Sequence, residues 1–203
     1  VHAGARVYLF DVDSAVGMPH AERINEDGGD AFFVPVNVAD VDTMERAFSD
    51  IYRENGKLDI VVANAGVSAT GNILEATVED VRRVNRVNSE GLFNTVKSGA
   101  EIMKRNPNKL DAILIMASGI SKIGVDGRPV YGPSKAGALN FTYDAAVELA
   151  SYGVRVVALR PGRGETPFAV GPQGYLVQDY PDVGARIEQY HILGQSNLIG
   201  RWV

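Results

Sequence analysis

Short apolar runs alternate along this chain with stretches in which apolar residues recur every three to four positions. Residues 6–11 (RVYLFD), 31–38 (AFFVPVNV), 58–66 (LDIVVANAG), 110–118 (LDAILIMAS) and 154–162 (VRVVALRPG) are the short runs. Runs of this kind suit strands buried in a parallel sheet. Between them, Val41, Met44, Phe48 and Ile51 predict a helix over 41–55. Val81, Val84, Val87, Leu92, Val96 and Met103 predict a long one over about 77–106. A further helix is predicted from Tyr131 to about Tyr152, with an apolar stripe through Leu139, Phe141, Ala145, Val147 and Leu149. Pro133 lies in its first turn, where a missing N–H is tolerated. Residues 14–29 predict a poor, short helix with Pro19 near its start and Gly28-Gly29 closing it. Gly4 reads as the stop of a helix tail at 1–5, and Pro35 favours an edge position for its strand. Strands alternating with helices predict an α/β fold with a parallel sheet. No repeat, low-complexity tract or linker divides 1–203, so one domain is expected.

Composition narrows the function. Apolar residues make up 45% and charged residues 22% of 203 residues, which suits a globular protein with a sizeable core. The formal charge of −5 argues against a nucleic-acid partner, which would want a basic face. No apolar run approaches the roughly 20 residues of a membrane-spanning helix. The absence of cysteine excludes disulfides and Cys-ligated metals, and fits a reducing, cytoplasmic setting. His2, His20 and His191 are far apart and lack metal-ligand spacing, so no metal site is expected.

The chemistry concentrates in VYGPSK, residues 130–135. On a helix, Tyr131 and Lys135 share a face. A cation close to a phenol favours the phenolate and lowers its pKa from about 10. A tyrosine so poised can exchange a proton with an alcohol oxygen at neutral pH. Of the eight tyrosines, only Tyr131 has Lys at +4, yet a surface lysine beside a half-buried tyrosine would read the same. The wider pattern is more telling. Asp11, Asn37, Asn64 to Gly66, Ser118 and Pro161-Gly162 each end a predicted strand, and ligands of open parallel sheets sit beyond those carboxyl ends. Asp11 could accept from an adenosine ribose and would repel a 2′-phosphate, although Asp13 competes for that role and a plain turn cap is an alternative. Ala63-Asn64-Ala65-Gly66 lets backbone approach a flat ligand closely. Ser118 could hold a substrate oxygen beside the phenol.

Together these residues resemble the short-chain dehydrogenase/reductase family along nearly the whole chain. The resemblance rests on ANAG at 63–66, VNSEGLF at 87–93, the serine of IMAS, YGPSK, and RPGRGETP at 160–167, in family order and spacing. It implies a Rossmann-like, doubly wound parallel sheet in three α/β/α layers. It also implies Tyr131 as general acid/base, with Lys135 lowering its pKa and binding the nicotinamide ribose. Ser118 would orient the substrate, and Asn88 would hold a water of a proton relay. By the same carry-over, Asp11 favours NAD over NADP, Asn37 and Val38 would meet the adenine, and Asn64, Ala65 and Gly66 would line the cofactor. Pro161, Gly162 and Thr166 would meet the nicotinamide. The implied reaction is hydride transfer between NAD(H) and a secondary alcohol or ketone. A related NAD-dependent epimerase or dehydratase, or a non-catalytic nucleotide-binding or scaffold protein or inert fragment, is the alternative. A homodimer or homotetramer would form through the helices at about 77–106 and 130–152, and 163–203 would be the substrate-binding lid.

Four departures from the family pattern stand out. Ala63 replaces a usual Asn, Asn37 a usual Asp, and Gly164 a usual apolar residue. The family's first strand with its glycine-rich loop has no counterpart from Val1 onward, and its last strand would follow IGRW. A longer polypeptide is therefore expected. On this reading, the runs RVYLFD and LDIVVA should not pair directly with each other, because a strand belongs between them.

Overall fold

The structure, a computed structural model, describes residues 3–107 and 110–162. Thr166, the helical spacing near 183–193 and the remainder of 163–203 lie outside the described residues, as do Val1 and His2.

Five parallel strands alternate with helices: β1 (Arg6–Asp11), α1 (Ser14–Glu26), β2 (Asp30–Pro35), α2 (Val41–Asn55), β3 (Ile60–Ala63), α3 (Val78–Asn85), α4 (Leu92–Met103), β4 (Asp111–Met116), α5 (Tyr131–Leu149) and β5 (Val154–Leu159). They form two sheets, β1-β2 and β3-β4-β5, and β1 and β3 are not hydrogen-bonded to each other. Pro35 closes β2, which among the described residues pairs with β1 alone, so the proline costs no ladder bond there.

Side-chain alternation places the helices. Along β1 and β2, Tyr8 stacks on Phe32, and Phe10 meets Phe48 of α2 edge-on. The opposite face packs on α1, where Gly17 is required: a Cβ there would lie 2.0 Å from the Phe33 ring. Helices thus cover both faces of β1-β2, as a doubly wound sheet demands. In the other sheet, Val61, Ala63, Ile113, Ile115, Val154 and Val156 share one core with Met44, Phe48, Val96, Met103, Ala138 and Ala145 of α2, α4 and α5. Ile60 and Val62 point the other way and are exposed.

Local chemistry sets the helix ends. Asp13 caps α1 through Ala15 N, Asp40 caps α2 through Thr43 N, and Thr77 and Asp80 form a reciprocal capping box on α3. Gly56 ends α2 in the left-handed conformation, and Gly4 has φ +79°, as its reading as a stop required.

Two helix readings need correction. The predicted helix over about 77–106 is interrupted at Arg86–Gly91 by a π-helical segment. Val81, before that segment, is exposed, whereas Val84, Val96 and Met103 of the expected stripe are buried together with Asn88, Gly91 and Thr95. The stripe drawn through α5 is also wrong at Val147, which is 80% exposed. The buried face carries Ser134, Lys135 and Thr142 beside Ala138, Leu139 and Ala145. Polar residues are accommodated there because each finds a main-chain acceptor, Ser134 on Tyr131, Lys135 on Met116 and Thr142 on Ala138. No described helix is long and apolar enough to cross a membrane.

Candidate active site

The carboxyl ends of the strands point the same way, and the expected residues sit there. Lys135, one turn into α5, is buried, and its Nζ donates to the main-chain carbonyl of Met116 at 2.7 Å, at the end of β4. Burial pushes its ammonium down from 10.5 to about 8, so at pH 7 it is still mostly charged. Its Nζ lies 5.9 Å from the centre of the Tyr131 ring. Two residues beyond Met116, Ser118 opens a 3-10 turn (Gly119–Lys122), its Oγ accepting from Ile120 N at 3.4 Å. That turn is bolted to α5. The Ser121 hydroxyl accepts from Ser118 N and donates to the carbonyl of Lys135 at 2.9 Å, and Ile120 lies against Gly132. Ser118 and Tyr131 therefore stand on one side of the molecule.

Asn88 lies buried in the π-helical segment. Its Oδ1 accepts from Val67 N at 2.8 Å, and its Nδ2 donates to Val67 O and to Ser134 Oγ, both at 2.9 Å. Ser134 in turn donates to the carbonyl of Tyr131 at 2.7 Å. The side chain of Asn88 is thus engaged in tying the loop after β3 to the helix that carries the phenol. Gly66 stands between these groups: a Cβ there would lie 3.4 Å from both Asn88 Oδ1 and Lys135 Nζ. The glycine keeps open a path over the pair along which a flat ring can lie. Asn64 and Ala65, just before it, are exposed.

The remaining strand-end residues line the same edge. Asp11 is exposed, one carboxylate oxygen accepting from Asp13 N, and its carbonyl takes Val36 N. Asn37 turns its Oδ1 onto Ala39 N. Val38 ties the loop after β2 to the start of α4. Its carbonyl accepts from Asn94 Nδ2 at 3.0 Å, and its side chain fills the space that Gly91 leaves, where a Cβ would come within 2.5 Å. Pro161 accepts from Gly119 N at 2.9 Å, holding the end of β5 to the Ser118 turn, and Gly162 follows it in the open. Thr166 lies outside the described residues. Among the described residues no group of acids and histidines could hold a metal ion.

Ser134, Ser121 and Arg128 escaped the sequence reading. Ser134 was findable, since it lies one turn after Tyr131 inside the same motif. Ser121 follows Ser118 at capping-box spacing. Arg128 carried no pattern and emerges only from the packing.

A parallel α/β architecture with helices packed on its sheets, and a buried lysine beside a tyrosine at its strand ends, defines a Rossmann-like fold. Comparison places it further. A family profile described as Enoyl-(Acyl carrier protein) reductase matches residues 1–197. The chain is 36% identical over 159 residues to an uncharacterized oxidoreductase of Thermotoga maritima, covering 78% of this chain and 62% of that protein. It is 32% identical over 141 residues to the 3-oxoacyl-(acyl-carrier-protein) reductase FabG of Staphylococcus aureus, covering 70% and 56%. This chain therefore spans less than two thirds of either relative. Among solved structures, NAD+-bound xylitol dehydrogenase superposes with a TM-score of 0.75 at 26% identity, over 79% of this chain and 61% of that one. A gluconate 5-dehydrogenase of Burkholderia cenocepacia with NADP and tartrate superposes at 0.80 and 23%, over 91% and 71%, a likeness of fold. The chain belongs to the short-chain dehydrogenase/reductase family.

Proposed function

We propose that this protein is an oxidoreductase that moves a hydride between NAD(H) and a secondary alcohol or ketone, with Tyr131 exchanging the proton. The observation that carries this reading is the convergence of Lys135, Asn88 and Gly66 within one site beside Tyr131. The residues suit a dinucleotide. Gly66 leaves a cradle that a Cβ would narrow, and Asp11 presents a carboxylate at the end of β1. When bound, the cofactor supplies or accepts the hydride.

The chain's own residues handle the rest. In the reducing direction the Tyr131 hydroxyl gives its proton to the carbonyl oxygen of the substrate, and in the oxidising direction the phenolate takes it back. The Lys135 ammonium favours that phenolate. Ser118 offers its hydroxyl to the same substrate oxygen, fixing it against the phenol. Asn88, its side chain held by Val67 and Ser134, would keep a relay water through its main chain. A π turn skips a carbonyl of the α-helical ladder, which makes such a group available. Asp11 favours NAD over NADP by repulsion of a 2′-phosphate, and Asn37 and Val38 lie where an adenine would be met. Pro161, Gly162 and Thr166 stand for the nicotinamide end.

A homodimer or homotetramer through α4 and α5 belongs to the same proposal, now on a narrower surface. Gly99 and Ala100 face their own sheet, whereas Phe93, Ala136, Gly137, Tyr143 and Val147 face outward. The test is a screen of secondary alcohols and ketones with NAD(H) and NADP(H), repeated on Tyr131→Phe. The variant should bind NADH as the parent does and lose turnover. Turnover that survives the substitution would remove Tyr131 from its role.

A further inference from the structure

We infer that Arg128 is a positioning residue that fixes Tyr131 against the loop after β3, and so sets the distance between phenol and cofactor cradle. The inference rests on the reading of Tyr131 as acid/base.

Helix α5 begins at Tyr131 with no side-chain cap: Val130, at its N-cap, contributes none. A helix start without a cap frays, because its first N–H groups lack partners. Here Gly132 N donates to the carbonyl of Arg128 at 3.1 Å. The side chain of the same arginine runs to the other wall of the site. Its Nη1 donates to Ser68 Oγ at 2.6 Å and to the carbonyl of Ala69 at 3.4 Å. Arg128 is only 5% exposed, as are Ser68 and Ala69. One residue therefore holds the first turn of the phenol-bearing helix by its backbone and the β3–α3 loop by its guanidinium.

That loop is held from three directions. Asn88 binds Val67 at both N and O, Arg83 donates to the carbonyl of Ser68 at 3.1 Å, and Arg128 takes the Ser68 hydroxyl. Beneath them, Ala69, Val84 and Val130 form a small core of their own. Burying a guanidinium is costly unless its N–H groups are bonded, and a packing role alone would be met by an apolar side chain of similar size. Both bonds leave one nitrogen, Nη1, which the rigid, planar guanidinium aims at hydroxyl and carbonyl together, a fixed direction that the flexible ammonium of lysine lacks.

The experiment compares the parent with Arg128→Lys and Ser68→Ala in the full-length protein, the second variant removing only one oxygen. Amide hydrogen exchange should quicken at Val67 and Gly132 in both variants, while β4 and β5 keep their protection. With NADH and a ketone that the parent reduces, kcat should fall about 10- to 100-fold, as a misplacement near 1 Å would produce. KM for NADH should hold within about twofold. The double variant should lose little beyond the worse single one, since both break one contact. Unchanged exchange at Val67 and Gly132 overturns the clasp. Quickened exchange with unchanged kcat overturns its catalytic purpose. If the parent reduces no ketone, the proposed function fails by itself, and exchange alone decides whether Arg128 couples the two walls.

Discussion

Lys135 donates to the carbonyl of Met116 at 2.7 Å, two residues before Ser118 on the same strand end. This bond anchors the cation of α5 to β4, so the two elements that carry phenol and serine share a fixed point. It also buries a charge that folding must accommodate.

The burial gives Lys135 a pH signature. Its folded pKa, about 8, lies below the ordinary 10.5. Between these values the unfolded state binds more protons than the folded one, so stability from this group rises as pH rises through that window. Below pH 8 the penalty is fully present, on the order of 3 kcal/mol. Lys135→Met should therefore gain on the parent at pH 7 and lose that gain between pH 8 and 10.5. Urea midpoints at pH 7 and 9.5 measure it, and a difference that ignores pH would refute the burial argument.

Asn88→Ala removes the partner of both the N–H and the C=O of Val67. Leaving such groups unmade costs about 1–3 kcal/mol. The variant should unfold at lower denaturant and turn over more slowly, and Asn88→Asp, which keeps only the acceptor, should fall between. An unshifted midpoint for Asn88→Ala would show that Val67 is held by other means.

At Gly91 a new Cβ would meet Val38 Cγ2 at 2.5 Å and Val38 backbone at 3.4 Å. The branched side chain has little room to swing, so Gly91→Ala should cost about 1–3 kcal/mol. Gly137→Ala, with no atom of its own chain within 4 Å of the new Cβ, should cost the fold of the subunit nothing and can stabilise α5. Thermal midpoints of the two variants should separate in that order.

Asp11 offers an exposed carboxylate whose one oxygen is turned onto Asp13 N. Removing its charge with Asp11→Asn should narrow the preference for NADH over NADPH by roughly tenfold, the size of a single charge–charge contact near the surface. Kinetics with both cofactors decide it. An unchanged ratio would move cofactor choice to another residue.

How much of this was legible in the sequence varies by element. The order of strands and helices, the edge position of Pro35 and the pairing of Tyr131 with Lys135 follow from spacing and backbone chemistry, which are local properties of the chain. The helix over 77–106 was legible as a helix, and Val84, Val96 and Met103 of its stripe are buried as read, whereas Val81 is exposed. The π-helical segment at Arg86–Gly91 was not legible, because nothing in the apolar pattern announces it. The stripe through Val147 failed for a related reason: α5 buries Ser134, Lys135 and Thr142, so apolarity no longer marks its inner face.

By itself the sequence determined the family, the order of strands and helices and which residues stand at the carboxyl ends of the strands, because motifs and alternation are written along the chain. Only the tertiary structure decided how those residues are held. The grip of Asn88 on Val67, its bond to Ser134 and the Arg128 clasp on Ser68 join positions 21, 46 and 60 residues apart. Contacts across such separations depend on how the loops pack, and no local pattern encodes them.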